Sequence, residues 1–162
     1  THKAKKLGHH PEVILSGRKI NDDTGKFIAT TLIKQMIKKN LPIQGSTVTI
    51  LGFTFKENVP DIRNTRVIDI VKELEDFGVN VQVTDTYAVP QQVYDEYGID
   101  LISYEEVKPA DAVVFAVPHE TYLEQGWEMF DHLLKHGKGI VYDVKSKLDK
   151  EKCPENICLR RL

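Results

Sequence analysis

Three cations follow one apolar strand within a short loop. In "LGFTFKENVPDIRNTRV" (51–67) the strand ends at Gly52. Lys56, Asp61, Arg63 and Arg66 then come around Pro60, before an apolar helical pattern resumes at Val67. Such a loop suits an anion: a lysine ammonium acts as a point charge on a phosphate, and an arginine guanidinium forks onto its oxygens. A helix starting near Thr65 adds unsatisfied amides and a partial positive charge. The competing reading is a solvated loop in which Asp61 pairs locally with Arg63.

The loop lacks the glycines of other phosphate sites. After Gly52 none occurs before Gly78, so G-x-G-x-x-G and the Walker pattern are both absent. Side chains, rather than backbone, have to hold the anion. Lys145 follows the strand "GIVYDV" and falls on the same carboxyl edge as Lys56 in a parallel sheet. Two lysines there could straddle one phosphorylated ligand; alone, Lys145 is a surface lysine.

Other residues carry less. His119 closes the buried stretch "AVPH" and is expected to orient a group or stabilise a turn. Asp85 ends another strand, where nucleotide folds often place a ribose acceptor, though the glycine loop that goes with it is missing. "DFG" at 76–78 sits at a helix end without other kinase elements and is a coincidence. His9 and His10 are adjacent and gain no role. A receiver-type phosphoacceptor needs an acidic pair at the first strand end for a divalent cation, and that position reads "LGFTF".

The elements that position these residues alternate. Residues 22–40 put Phe27, Ile28, Leu32, Ile33, Met36 and Ile37 on one helical stripe, with Asp22 or Asp23 as cap. This helix is expected to pack on something other than its own sheet, such as a partner helix; the alternative is an ordinary covering helix. Strands are expected at 46–52, 79–85, 111–119 and 138–146, with 99–103 a strand or turn and 156–162 a last edge strand. Helices are expected at 65–78 (Thr65 as N-cap, Gly78 as stop), at 90–98, and at 120–137 with Gly126 as a weak point. The pattern gives an α/β, Rossmann-like doubly wound parallel sheet of five or six strands preceded by a long helix. Ligands of such sheets sit beyond the carboxyl ends of the strands, at the switch in strand order.

Composition narrows the classes further. A chain of 162 residues with 41% hydrophobic content is one domain, with a short appendage. A net charge of −2 argues against a general nucleic-acid binder. No apolar run reaches the ~18–20 residues that span a bilayer, and no signal segment opens the chain. Cys153 and Cys158 make no disulfide framework and have no histidine pair at zinc spacing, so a cytoplasmic protein without a metal is expected. Thr1 is no initiator, and a portion of a longer protein is expected.

"GFTFKENVPDIRNT" resembles the signature that opens the C-terminal domain of the UDP-glucose/GDP-mannose dehydrogenase family. Its form is similar to that of the branch acting on UDP-N-acetylhexosamines. "HPEVILSGRKINDD" and "AVPHETY" extend the resemblance over nearly the whole chain. The resemblance implies an NAD-dependent enzyme that oxidises the C6 alcohol of a UDP-sugar to a carboxylate, through a thiohemiacetal on a cysteine. It implies an N-terminal NAD domain, a central dimerisation helix, and a C-terminal domain that closes over the nucleotide sugar. Residues 1–41 then correspond to the end of the central helix region and 42–162 to the UDP-sugar-binding domain. Phe55 and Lys56 resemble the family's nucleotide-sugar contacts, Lys145 a basic residue on the UDP portion, and Arg63 the arginine reaching the NAD of the other domain. UDP-N-acetylglucosamine or UDP-N-acetylgalactosamine is the implied substrate, and a homodimer or higher assembly the implied state. The family's cysteine motif, NAD glycine loop, and catalytic lysine and asparagine have no counterpart in the sequence. The implied chain is therefore inactive alone, with no catalytic residue of its own. The alternative is a stand-alone nucleotide-binding or dimerisation module without redox activity.

Overall fold

The computed structural model describes residues 12–162, with side chains from residue 23 onward. His9 and His10 lie outside the described residues, as does the side chain of Asp22.

Helix α1 (Glu12–Lys38) begins well before the cap expected at Asp22 or Asp23. No proline interrupts residues 12–21, so nothing in that stretch stops the helix from extending backwards. Ile28, Leu32 and Met36 recur at four-residue spacing and are buried with Ala29 and Ile33. Phe27 and Ile37 fall one step outside that stripe and are exposed. The buried stripe joins the core over the chain's own sheet, which corrects the expectation that α1 packs elsewhere. The approach of α1 to helix α2 (Val67–Asp76) is close enough to need glycine: a Cβ on Gly25 would lie 2.6 Å from Asp69 Cβ.

The sheet contains β1 (Thr47–Leu51), β2 (Asn80–Thr84), β3 (Ala112–Phe115), β4 (Gly139–Asp143) and β5 (Ile157–Arg161). All pairs are parallel, in the order β2-β1-β3-β4-β5. Strand order therefore reverses between β1 and β3, which opens a crevice at their carboxyl ends. The β-branched runs reflect burial on both faces. Val48, Ile50, Val114 and Tyr142 face α1 and α2 on one side. Leu51, Val113, Phe115 and Val141 face a second core built on Tyr122, Met129 and Phe130 on the other.

Of the strand or turn expected at 99–103, no strand forms; Leu101 makes a single bridge to Val83 before the chain enters a 3₁₀ turn at Tyr104–Glu106. Two further elements differ. The strand expected at 111–119 ends at Phe115, because Ala116 and Val117 both donate to the Leu51 carbonyl and fold over the end of β1. The helix expected at 120–137 is broken into α4 (Glu120–Leu123) and α5 (Met129–Leu133), joined by a 3₁₀ turn. Gly126 at φ +57° cannot continue a right-handed helix. Helix α3 (Pro90–Tyr97) forms as expected, with its proline at the first turn and Gly98 left-handed at its end. At α2 the residue preceding the helix is Arg66, while the Thr65 hydroxyl accepts the Val67 N–H and Gly78 ends the element at φ +79°.

Candidate functional site

The carboxyl edge is organised by two buried aspartates. Asp85 lies just after β2; its side chain is fully buried and uses both oxygens. Oδ2 accepts from Phe53 N (2.6 Å), Thr54 N (3.1 Å) and His119 Nε2 (2.9 Å). Oδ1 accepts from Tyr87 N (2.7 Å) and Ala88 N (2.8 Å). Burial works against ionisation of this carboxyl, but His119 and the amides of Phe53 and Ala88 outweigh it and hold the pKa down at about 2. A carboxylate so occupied has no oxygen left for a ribose, which corrects the role considered for Asp85. It instead fixes the start of the cation-bearing loop. His119 is also fully buried; its Nδ1 accepts the Asn58 N–H at 3.0 Å, in keeping with the orienting role expected of it.

Asp143, at the end of β4, does the same for the next loop. It is fully buried and accepts from Lys147 N (3.1 Å) and Leu148 N (2.9 Å). The turn it closes presents Lys145, whose Nζ lies 2.7 Å from Glu57 Oε1. Burial raises the Glu57 carboxyl, but Lys145 and Lys147 outweigh that and leave its pKa below the ordinary value. The β1 and β4 loops are thereby tied across the mouth of the crevice.

Between them lies a cleft of about 230 Å³. Gly25, Phe55, Arg66, Val117, Val144 and Lys145 are among its lining residues. Phe55 is 54% exposed, although its N–H is held by the Asp61 carbonyl at 2.7 Å. Arg66 also reaches Asp69, at 3.5 Å. Lys56 is exposed beside Phe55, and among the described residues its ammonium makes no ion pair. Gly52 sets this geometry. At φ +90°, a Cβ there would lie 2.6 Å from both Cβ and O of Val117, so only glycine lets the two strand ends cross.

Arg63 lies elsewhere. Its side chain is 78% exposed and lies along Asp61, with Nε 3.0 Å from Oδ1 and Nη2 2.9 Å from Oδ2. It lines a separate open groove with Gln92, Asp95 and Glu96 of α3. The local pairing of Asp61 with Arg63, the competing reading of the loop, is thus present. The structure brings Phe55 and Lys145 to one cleft; Lys56, next to Phe55 in the chain, is not among its lining residues, and Arg63 lies outside it.

Neither cysteine belongs to this edge. Cys158 pairs with Ile140 near the amino end of the sheet, and burial pushes the Cys153 thiol up, away from the reactive thiolate. Among the described residues no group of acidic, cysteine or histidine side chains could hold a metal ion. No helix among them is long and apolar enough to cross a membrane. Sequence reasoning missed Asp143, Asn58 and Glu57. An aspartate closing a buried strand before a polar loop was the available signal for Asp143.

Comparison with known proteins places this geometry in context. Residues 49–150 match the model of the UDP-glucose/GDP-mannose dehydrogenase family, UDP binding domain. Protein CapL of Staphylococcus aureus is 48% identical over 93% of this chain and 35% of its own length. A UDP-N-acetyl-D-glucosamine 6-dehydrogenase of Salmonella typhi is 44% identical over the same shares. Among solved structures, an NDP-N-acetyl-D-galactosaminuronic acid dehydrogenase from Methanosarcina mazei superposes with a TM-score of 0.83 at 20% identity. That match covers 99% of this chain and 35% of the other, and shows the fold. The chain spans about a third of the length of the curated relatives it matches.

Proposed function

The chain belongs to the UDP-glucose/GDP-mannose dehydrogenase family, whose UDP binding domain it carries, and from that premise we propose that it holds the nucleotide sugar in an NAD-dependent UDP-N-acetylhexosamine 6-dehydrogenase. The observation that carries the reading is the convergence of Phe55, Arg66 and Lys145 on one cleft where strand order reverses. Its substrate would be UDP-N-acetylglucosamine or UDP-N-acetylgalactosamine, in line with the dehydrogenase that is 44% identical. The match to about a third of such an enzyme favours this over a stand-alone module.

In this reading the exposed Phe55 ring packs on the ligand, and Lys56 sets its charge against the diphosphate. Lys145 exchanges Glu57 for a phosphate oxygen. The exchange suits a half-exposed pair, because the ammonium already has a carboxylate at 2.7 Å and need only swap one anion for another.

The described residues do not form a dinucleotide cradle. The loop after β1 has Gly52 alone, and Val117 closes over it. NAD, which supplies the electron acceptor for alcohol oxidation when bound, would be held mainly by other parts of the enzyme, with Arg63 as one contact from this chain. We place the thiol nucleophile outside this chain as well, given the positions of Cys153 and Cys158. Closing the two domains would bring Arg63 to its target and exclude water. Residues 1–41 would supply the end of the central helix through which such an enzyme pairs with a second copy, in the cytoplasm, with residues 42–162 as the UDP-sugar-binding domain.

The test is calorimetric titration with UDP and with UDP-N-acetylglucosamine, on the wild type and on Lys56→Ala. Heats that fall in the variant support the assignment, and equal heats remove Lys56 from the site. Mixed with UDP-N-acetylglucosamine and NAD, the chain alone should produce no NADH; measurable production would place the nucleophile within it.

A further inference from the structure

We propose that His119 is a positioning residue for the ligand loop, and that the shape of residues 53–58 depends on the protonation of its ring. The ligand part of this inference rests on the binding reading above. Nδ1 accepts the Asn58 N–H at 3.0 Å and so carries no proton itself. The ring proton is on Nε2, which faces Asp85 Oδ2 at 2.9 Å and Thr54 Oγ1 at 3.3 Å. One buried imidazole therefore grips both ends of a short segment. Thr54 is fixed at one end, Asn58 at the other, and Phe55, Lys56 and Glu57 are displayed between them.

The grip is reciprocal. Asn58 takes a left-handed conformation at φ +60°, and its side-chain oxygen accepts the Glu120 N–H at 2.8 Å, one residue beyond His119. Asp85 is the charged group facing the ring. Tyr87 and Tyr122, with ring centroids 4.8 and 5.6 Å away, are the other titratable neighbours. On the loop itself Lys56 is exposed and Glu57 is engaged with Lys145; Glu120 is exposed. A proton added at Nδ1 turns that acceptor into a donor facing a donor. The Asn58 amide then loses its partner inside the protein, an arrangement the loop can relieve only by moving away. A loop that moves carries Phe55 and Lys56 with it.

The test titrates UDP-N-acetylglucosamine, whose diphosphate diester keeps its charge, at a series of pH values from about pH 8 to about pH 5.5. Wild type, His119→Gln and His119→Asn are compared, and the hydrogen exchange of the Asn58 amide is followed without ligand. The asparagine carbonyl stands near the place of Nδ1 and does not titrate; glutamine keeps the reach to Asp85 and loses the acceptor for Asn58. Wild type should lose about tenfold in affinity on acidification, the worth of one such hydrogen bond, while Asn58 protection falls in parallel. At the upper pH His119→Asn should keep the Asn58 protection that His119→Gln loses, with a flat profile in both, and His119→Gln should bind weakly throughout. A flat wild-type profile, or wild-type affinity and Asn58 protection in His119→Gln, would overturn the proposal. If no form binds the nucleotide sugar, the binding reading fails, and Asn58 protection alone decides the positioning role.

Discussion

Arg63 lies along Asp61, two residues before it, with both carboxylate oxygens engaged by the guanidinium and Oδ1 also accepting the Arg63 N–H at 3.0 Å. The pair is open to water, so it is weak and exchangeable. It holds the guanidinium in one pose, from which a stronger anion can take it.

The pairing sets a pH signature. The hydrogen bonds from Arg63 hold the Asp61 carboxyl at about 2, below its ordinary value. A depressed carboxylate contributes stability above its ordinary range and loses it as pH falls toward the folded value. Carbon-detected titration of Asp61 should give a midpoint below the ordinary carboxylate range in wild type, moving up into that range in Arg63→Gln. An unchanged midpoint in the variant would show that Arg63 does not hold the group.

Gly52→Ala should be strongly destabilising. Its φ of +90° disfavours any Cβ, and the added carbon would meet Val117 at 2.6 Å. Strain and overlap together predict a loss of roughly 2–4 kcal/mol in denaturant unfolding. A loss below about 1 kcal/mol would show that the β1 and β3 ends separate without cost.

Glu57→Gln separates two roles of Lys145. The carboxylate competes with a phosphate for the ammonium, so removing its charge should tighten UDP binding by about threefold at low salt, fading as salt rises. Lys145→Ala should weaken binding instead. Weaker binding in Glu57→Gln, equal to that in Lys145→Ala, would mean the ion pair itself shapes the cleft.

Local patterns carried most of the fold. The β-branched runs that became β1, β3 and β4 were legible because burial on both faces demands them. The pairing of Asp61 with Arg63 was legible because it spans two residues. The break at Gly126 was visible as a weakness, but whether a helix survives one glycine depends on what its two halves pack against. The tether made by Asp85 was hidden because its partners, Phe53 and Thr54, lie at the end of a different strand. No spacing in the sequence encodes that β1 and β2 would end side by side. The link between Glu57 and Lys145, 88 positions apart, is hidden for the same reason. Strand order decides it, and strand order emerges only from the folded sheet.

A nucleotide sugar held at the carboxyl edge, between the loops after β1 and β4, would leave its trace in amide shifts mapped while the chain is titrated with UDP-N-acetylglucosamine. Perturbations are expected at residues 54–57, 66–67, 116–117 and 144–146. Perturbations concentrated instead at 138–140 and 156–158, on the amino edge, or along Gln92, Asp95 and Glu96, would contradict that placement.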